Sequence, residues 1–96
     1  ECRVVTVGGV RIAAIHGCQW YGERRWQKLV ELGRREKADL VAFGHTHRRF
    51  LKMDGDLWVV NPGSIGLPRD SRRGTYAIVT ITDGQIESVD FHEIER

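Results

Sequence analysis

Apolar residues recur along this chain with two different periods, and the switches between them divide it into strands and one helix. Arg3 to Val7 is rich in β-branched residues, Gly8-Gly9 is a two-residue turn signal, and Val10 to Ile15 resumes the strand pattern, so the opening predicts a β-hairpin. The end of its second strand is wholly apolar, as in a strand covered on both faces. Between Gly22 and Glu36 the period lengthens. Trp26, Leu29, Val30 and Gly33 fall at helical spacing, with charged residues at most other positions. Ala38 to Phe43 reads as a further strand ending at Gly44, which completes the strand–helix–strand order of a βαβ unit. Beyond Gly44 only strand patterns remain. Arg48 to Met53 and Leu57 to Val60 flank Asp54-Gly55, Thr75 to Thr82 and Gln85 to Ile94 flank Asp83-Gly84, and each pair predicts a hairpin. Asn61-Pro62-Gly63-Ser64 reads as a loop by composition. The expected class is α/β, β-rich with one main helix, with no internal repeat, low-complexity tract or linker.

Composition narrows the function classes. Ninety-six residues make one domain at most. A hydrophobic share of 41% with aromatics throughout argues against a disordered chain. No apolar run approaches the roughly 18 to 20 residues of a membrane span, and no basic-then-apolar leader opens the chain, so a cytoplasmic protein without membrane contact is expected. The chain opens on Glu1 rather than Met, and a preceding segment is expected. The two cysteines, Cys2 and Cys18, are too few for a disulfide framework and are expected as thiols. Net charge is only +2, and although arginines fall in pairs such as Arg24-Arg25 and Arg48-Arg49, interspersed acids make them mostly solvated surface. Nucleic acid is not indicated as a partner.

The candidate chemistry lies in the histidines. Of four, three follow predicted strands: His16 after Val10–Ile15, and His45 and His47 after Ala38–Phe43. Ligands collect at the carboxyl ends of strands in open α/β sheets, and imidazole is the commonest side-chain metal ligand. In an extended segment residues i and i+2 point the same way, so His-Thr-His aims two imidazoles at one place or at two adjacent metals. A lone histidine at a strand end is more often a hydrogen-bonded surface residue than a ligand; two at this spacing, with a third on another strand end, favour metal. Three histidines suit a mononuclear zinc site as well as half of a dinuclear one, and the residues alone leave both open. His92, in a polar strand without a partner, reads as structural or surface.

The run Gly44-His45-Thr46-His47, then Asn61-Pro62-Gly63-Ser64, then Pro68-Arg69, resembles the C-terminal motifs of small calcineurin-like metallophosphoesterases, nearest to their YfcE-like phosphodiesterase branch. Ile15-His16-Gly17 and the strand Gly74 to Val79 fit the same pattern, so the resemblance covers the whole of residues 1–96. It implies the C-terminal half of an α/β/β/α sandwich, with the N-terminal half lying outside the chain. It also implies two divalent cations, commonly manganese, with nickel, zinc or iron in some members. His16 and His45 are then ligands of one metal and His47 of the other, and Asn61 and Ser64 lie on a loop lining the substrate site. The implied reaction is hydrolysis of a phosphate monoester or diester by a hydroxide that the two metals activate.

The departures from the family pattern matter as much. Its Asp-x-His, bridging Asp and Gly-Asn-x-Asp motifs do not occur in these residues and are expected upstream. Cys18 stands where the family has the second histidine of His-Gly-His; a small loop residue is the simpler reading, and a thiolate ligand the sharper one. The parent is therefore expected to be a phosphoesterase and the isolated chain to be inactive. The alternatives are a non-catalytic scaffold of the same fold and a mononuclear His-metal module. Without its other half the chain is expected to expose a sheet face or edge and to associate, a possible homo-oligomer.

Overall fold

The computed structural model describes residues 2–15, 22–44, 48–63 and 74–94. The opening hairpin forms as expected, with β1 (Cys2–Val7) antiparallel to β2 (Val10–Ile15) and Val7 opposite Val10. Helix α1 (Gly22–Arg35) follows, then β3 (Leu40–Phe43), β4 (Arg49–Asp54), β5 (Leu57–Pro62), β6 (Thr75–Thr82) and β7 (Gln85–Glu93). A five-stranded mixed sheet runs in the order β1-β2-β3-β5-β4, and β6 and β7 pair as a separate two-stranded sheet. The βαβ unit is real: β2 and β3 are parallel neighbours, and β3 is also parallel to β5.

Period-two alternation in the central strands splits the core into two layers. Val41 and Phe43 of β3 and Leu57 and Val59 of β5 meet Leu29 and Leu32 of α1 on one face. Leu40 and Val60 meet Val89 on the other, where the β6–β7 hairpin brings Ala77, Val79, Ile86 and Phe91. A strand buried on both faces has no position for water, which is why β3 reads as a continuous apolar run. Gly33 lets the helix close on the sheet. A Cβ there would lie 2.7 Å from a methyl of Leu57 and 2.8 Å from one of Val41.

The start of β3 differs from the expected Ala38. Lys37 adopts a left-handed conformation with φ of 55°, its N–H donates to the Arg34 carbonyl at 3.2 Å, and the Ala38 N–H donates to that of Gly33 at 2.8 Å. These paired bonds form a Schellman motif, which occupies Lys37 and Ala38 in capping the helix before the strand begins. Asp39 then locks the end of the unit. Its carboxylate accepts from the Arg11 N–H at 2.9 Å, while its own N–H donates to the Arg11 carbonyl at 2.7 Å.

Candidate metal centre at the strand ends

Three parallel strands, β2, β3 and β5, finish on the same side of the sheet. Ile15 lies opposite Phe43, and the Gly44 N–H donates to the Ile15 carbonyl at 3.2 Å. Adjacent strands lie about 4.8 Å apart, so the chain leaves the sheet for His16 and for His45 from neighbouring points. The third strand end, Pro62, leads through Gly63 to Ser64. An open depression of about 510 Å³ lies over these ends, lined among others by Arg3, Ala14, Ala42, Gly44 and Pro62. Among the described lining residues Arg3 carries the positive charge; nothing in the sequence pattern singled it out, because it occurs within an alternating strand.

His16, His45, His47, Ser64 and Cys18 lie outside the described residues. Among the described residues no group of three His, Cys, Asp or Glu side chains is placed to hold a metal.

Asn61 is described, and its setting corrects the loop expected over 61–64. Asn61 and Pro62 extend β5, opposite Phe50 and Arg49 of β4. Pairing of β5 with β3 stops at Val60, so the missing N–H of Pro62 costs no bond on that side. The Asn61 side chain has no exposed surface, and its Oδ1 accepts the Gly63 N–H at 2.9 Å. The buried Thr75 hydroxyl donates to the Pro62 carbonyl at 3.0 Å. Gly63 holds φ of 87°, and a Cβ on it would collide with that hydroxyl. Buried side chains thus fix how the chain departs towards Ser64. His92 is exposed on β7, its ring stacked on Tyr76 with centroids 5.3 Å apart, consistent with a surface role.

A family model described as the calcineurin-like phosphoesterase superfamily domain matches residues 1–84. This chain belongs to that superfamily. Calcineurin-like relatives with probable function include a "Probable metallophosphoesterase" of Mycoplasma pneumoniae, 28% identical over 96% of this chain and 60% of its own length. Another is "Probable metallophosphoesterase YsnB" of Bacillus subtilis, 34% identical over 81% of this chain and 46% of its own length. Among solved structures, a conserved Streptococcus pneumoniae protein described as a predicted phosphoesterase superposes with a TM-score of 0.83 at 33% identity, covering 97% of this chain and 53% of that one. The fold is shared with Vps29 of Entamoeba histolytica complexed with Zn²⁺, with a TM-score of 0.72 at 24% identity over 98% of this chain and 59% of that one. The chain spans about half the length of the relatives it matches. Its β-rich sheet with one helix matches a part of the metallophosphoesterase α/β fold, and the family is metal-dependent. Among the described residues no helix is long and apolar enough to cross a membrane.

Proposed function

We propose that the protein carrying this chain is a two-metal phosphoesterase in which His16 and His45 serve one cation and His47 the other. The parallel register of Ile15 with Phe43 is the observation that carries this reading, because it starts the His16 and His45–His47 segments side by side on one sheet end. The donor set fits in part: neutral imidazoles suit zinc, nickel and iron, while manganese, the metal that the family resemblance favours, would also call on carboxylates such as the bridging one. Two such cations supply an acidified water and a clamp for the phosphoryl oxygens of an in-line displacement. The histidines hold metal and carry no proton in the reaction. Ser64, which follows Gly63 in the chain, is assigned to substrate binding together with Asn61. Asn61 acts on substrate through the turn it holds at Gly63, since its own side chain is buried. The bridging carboxylate lies in the part of the protein that the longer relatives possess and this chain does not span.

The test is hydrolysis of bis-p-nitrophenyl phosphate by the whole gene product, with manganese added after chelation. Single His45→Ala and His47→Ala variants are expected to lose at least about 100-fold in activity and to bind manganese more weakly, with unchanged circular dichroism. Full activity in both variants would remove the histidines from the site. A Cys18→Ala variant is expected to keep its metal; abolished metal binding would favour a mononuclear module instead.

A further inference from the structure

A cavity of about 240 Å³ among Trp26, Phe43 and Phe50 adjoins the strand ends already described. Another, of about 320 Å³, lies at the opposite end of the sheet, where β3 and β5 begin. Its lining comes from Asp39 before β3, Met53 of β4, Asp56 and Trp58 around the start of β5, and Gln85 and Ile86 where β7 begins. All of these residues sit within continuously described chain.

Packing fixes the walls. Trp58 and Ile86 belong to the layer between the sheets, half-buried against Leu40, Val60 and Val89. Trp58 pairs with Met53 across β5 and β4, and its N–H donates to the Asp39 carbonyl at 3.1 Å. The hairpin wall is held from the other side, because a Cβ on Gly9 would lie 3.2 Å from the Gly84 Cα, so the β1–β2 and β6–β7 turns touch. Trp58, Met53 and Ile86 make the apolar part of the lining, and Asp39, Asp56 and Gln85 the polar part.

Charge is one-sided. Among the described lining residues no basic group answers the two carboxylates. Asp39 is anchored by a neutral donor, the Arg11 N–H at 2.9 Å, while the Arg11 guanidinium turns to the Glu36 carbonyl at 2.6 Å. Arg34 donates to Asp56 and Asp54 at 3.0 Å each, one positive charge against two negative ones. Both lining carboxylates are thus fixed in place, and the surroundings keep an excess of negative charge.

Size and chemistry select the occupant. Sites for whole small ligands begin near 300 Å³, so the space suits a free molecule better than one inserted side chain. An indole beside carboxylates attracts an organic cation through the ring face and through charge-assisted hydrogen bonds. A planar guanidinium makes both contacts better than an ammonium does, since it stacks on rings and pairs with carboxylate oxygens.

We propose that this cavity binds a free aliphatic cation ending in a guanidinium, which stacks on Trp58 and bonds to Asp39 and Asp56. The site is separate from the strand ends that carry the histidine segments and does not depend on the phosphoesterase reading.

The test is titration of agmatine into the whole gene product in EDTA, following the Trp58 and Trp26 indole N–H resonances by NMR. Trp58 is expected to shift saturably and Trp26 to stay, since the two line cavities at opposite ends of the sheet. N-Carbamoylputrescine, with a urea in place of the guanidinium, is expected to bind about fivefold more weakly, the upper end of what one exposed cation–π contact provides. Gln85→Lys sets a competing cation at an exposed position of the lining and is expected to abolish agmatine binding with the melting transition unchanged. Asp56→Asn is expected to weaken it at least about fivefold; that side chain is 94% exposed, so the variant keeps its fold. Equal affinity for the two ligands, a Trp58 resonance that does not move at millimolar agmatine, or full binding by both variants overturns the proposal. Nα-Acetylarginine N-methylamide carries the same guanidinium on a peptide backbone. If it binds more tightly than agmatine, the assignment to a free ligand is overturned in favour of an arginine presented by a partner protein.

Discussion

Gly33 sets two opposing effects at a single position. Alanine is the better helix former by about 1 kcal/mol, so Gly33→Ala in an exposed helix would stabilise. Here the added methyl meets Leu57 and Val41 at distances that force a shift. Overpacking of this kind costs about 1–3 kcal/mol, so a net loss of about 1 kcal/mol is expected. In a domain of this size that lowers the melting midpoint by about 4–8 °C, which thermal denaturation would detect; an increase would mean that the helix stands further from the sheet. Arg34 offers a pH test at the same scale. Its guanidinium donates to Asp56 and Asp54, each at 3.0 Å, and the bond from Arg34 holds the Asp56 carboxyl below its ordinary range. That contribution is complete at neutral pH and is lost as pH falls through the lowered Asp56 value, below the usual carboxylate pKa of about 3.9. Arg34→Ala should therefore melt earlier than the parent at pH 7, with the gap narrowing in strong acid. Because the groups are exposed, the gap should also shrink in high salt.

The strands differ in how they treat water at their edges. β7 carries Glu87, Asp90 and Glu93, and β4 carries Arg49, Lys52 and Asp54, charges that discourage a further strand from adding. β6, Thr-Tyr-Ala-Ile-Val-Thr-Ile-Thr, has no charge and no proline, and among the described residues it pairs only with β7. Ile78 on it is 47% exposed. The 96-residue chain alone should self-associate through this edge at micromolar concentration, and Ile78→Lys should shift it towards monomer in sedimentation velocity. A chain that is monomeric before the substitution would mean that the edge is already covered. Most elements were legible in the sequence because their signals are local, as with the diglycine turn at Gly8-Gly9 and the two Asp-Gly turns. The strand character of Asn61-Pro62 was not, since it comes from pairing with Arg49 and Phe50 and contradicts the local turn composition.

At the scale of the molecule, the two-stranded sheet covers only the middle of the larger one. Val5 and Val7 on β1 and Leu51 and Met53 on β4 remain 40–53% exposed. Relatives of this superfamily have chain beyond the matched region, enough to extend such a sandwich. The expected outcome is that the 96-residue chain hydrolyses bis-p-nitrophenyl phosphate with manganese at no more than the rate of buffer, whereas the whole gene product turns it over. Activity in the short chain would mean that its own residues complete the metal site.

The sequence by itself determined the βαβ unit, the three hairpins and the grouping of histidines after two strands, because periodicity, turn chemistry and covalent order act over a few residues. Tertiary structure alone decided how these units joined into sheets. It set β3 between β2 and β5, so that three strand ends share one side of the sheet. It also buried Asn61 in a turn and brought Trp26, Phe43 and Phe50 from three elements around one cavity. Those outcomes depend on which apolar faces can close on one another, and no short stretch of sequence carries that information.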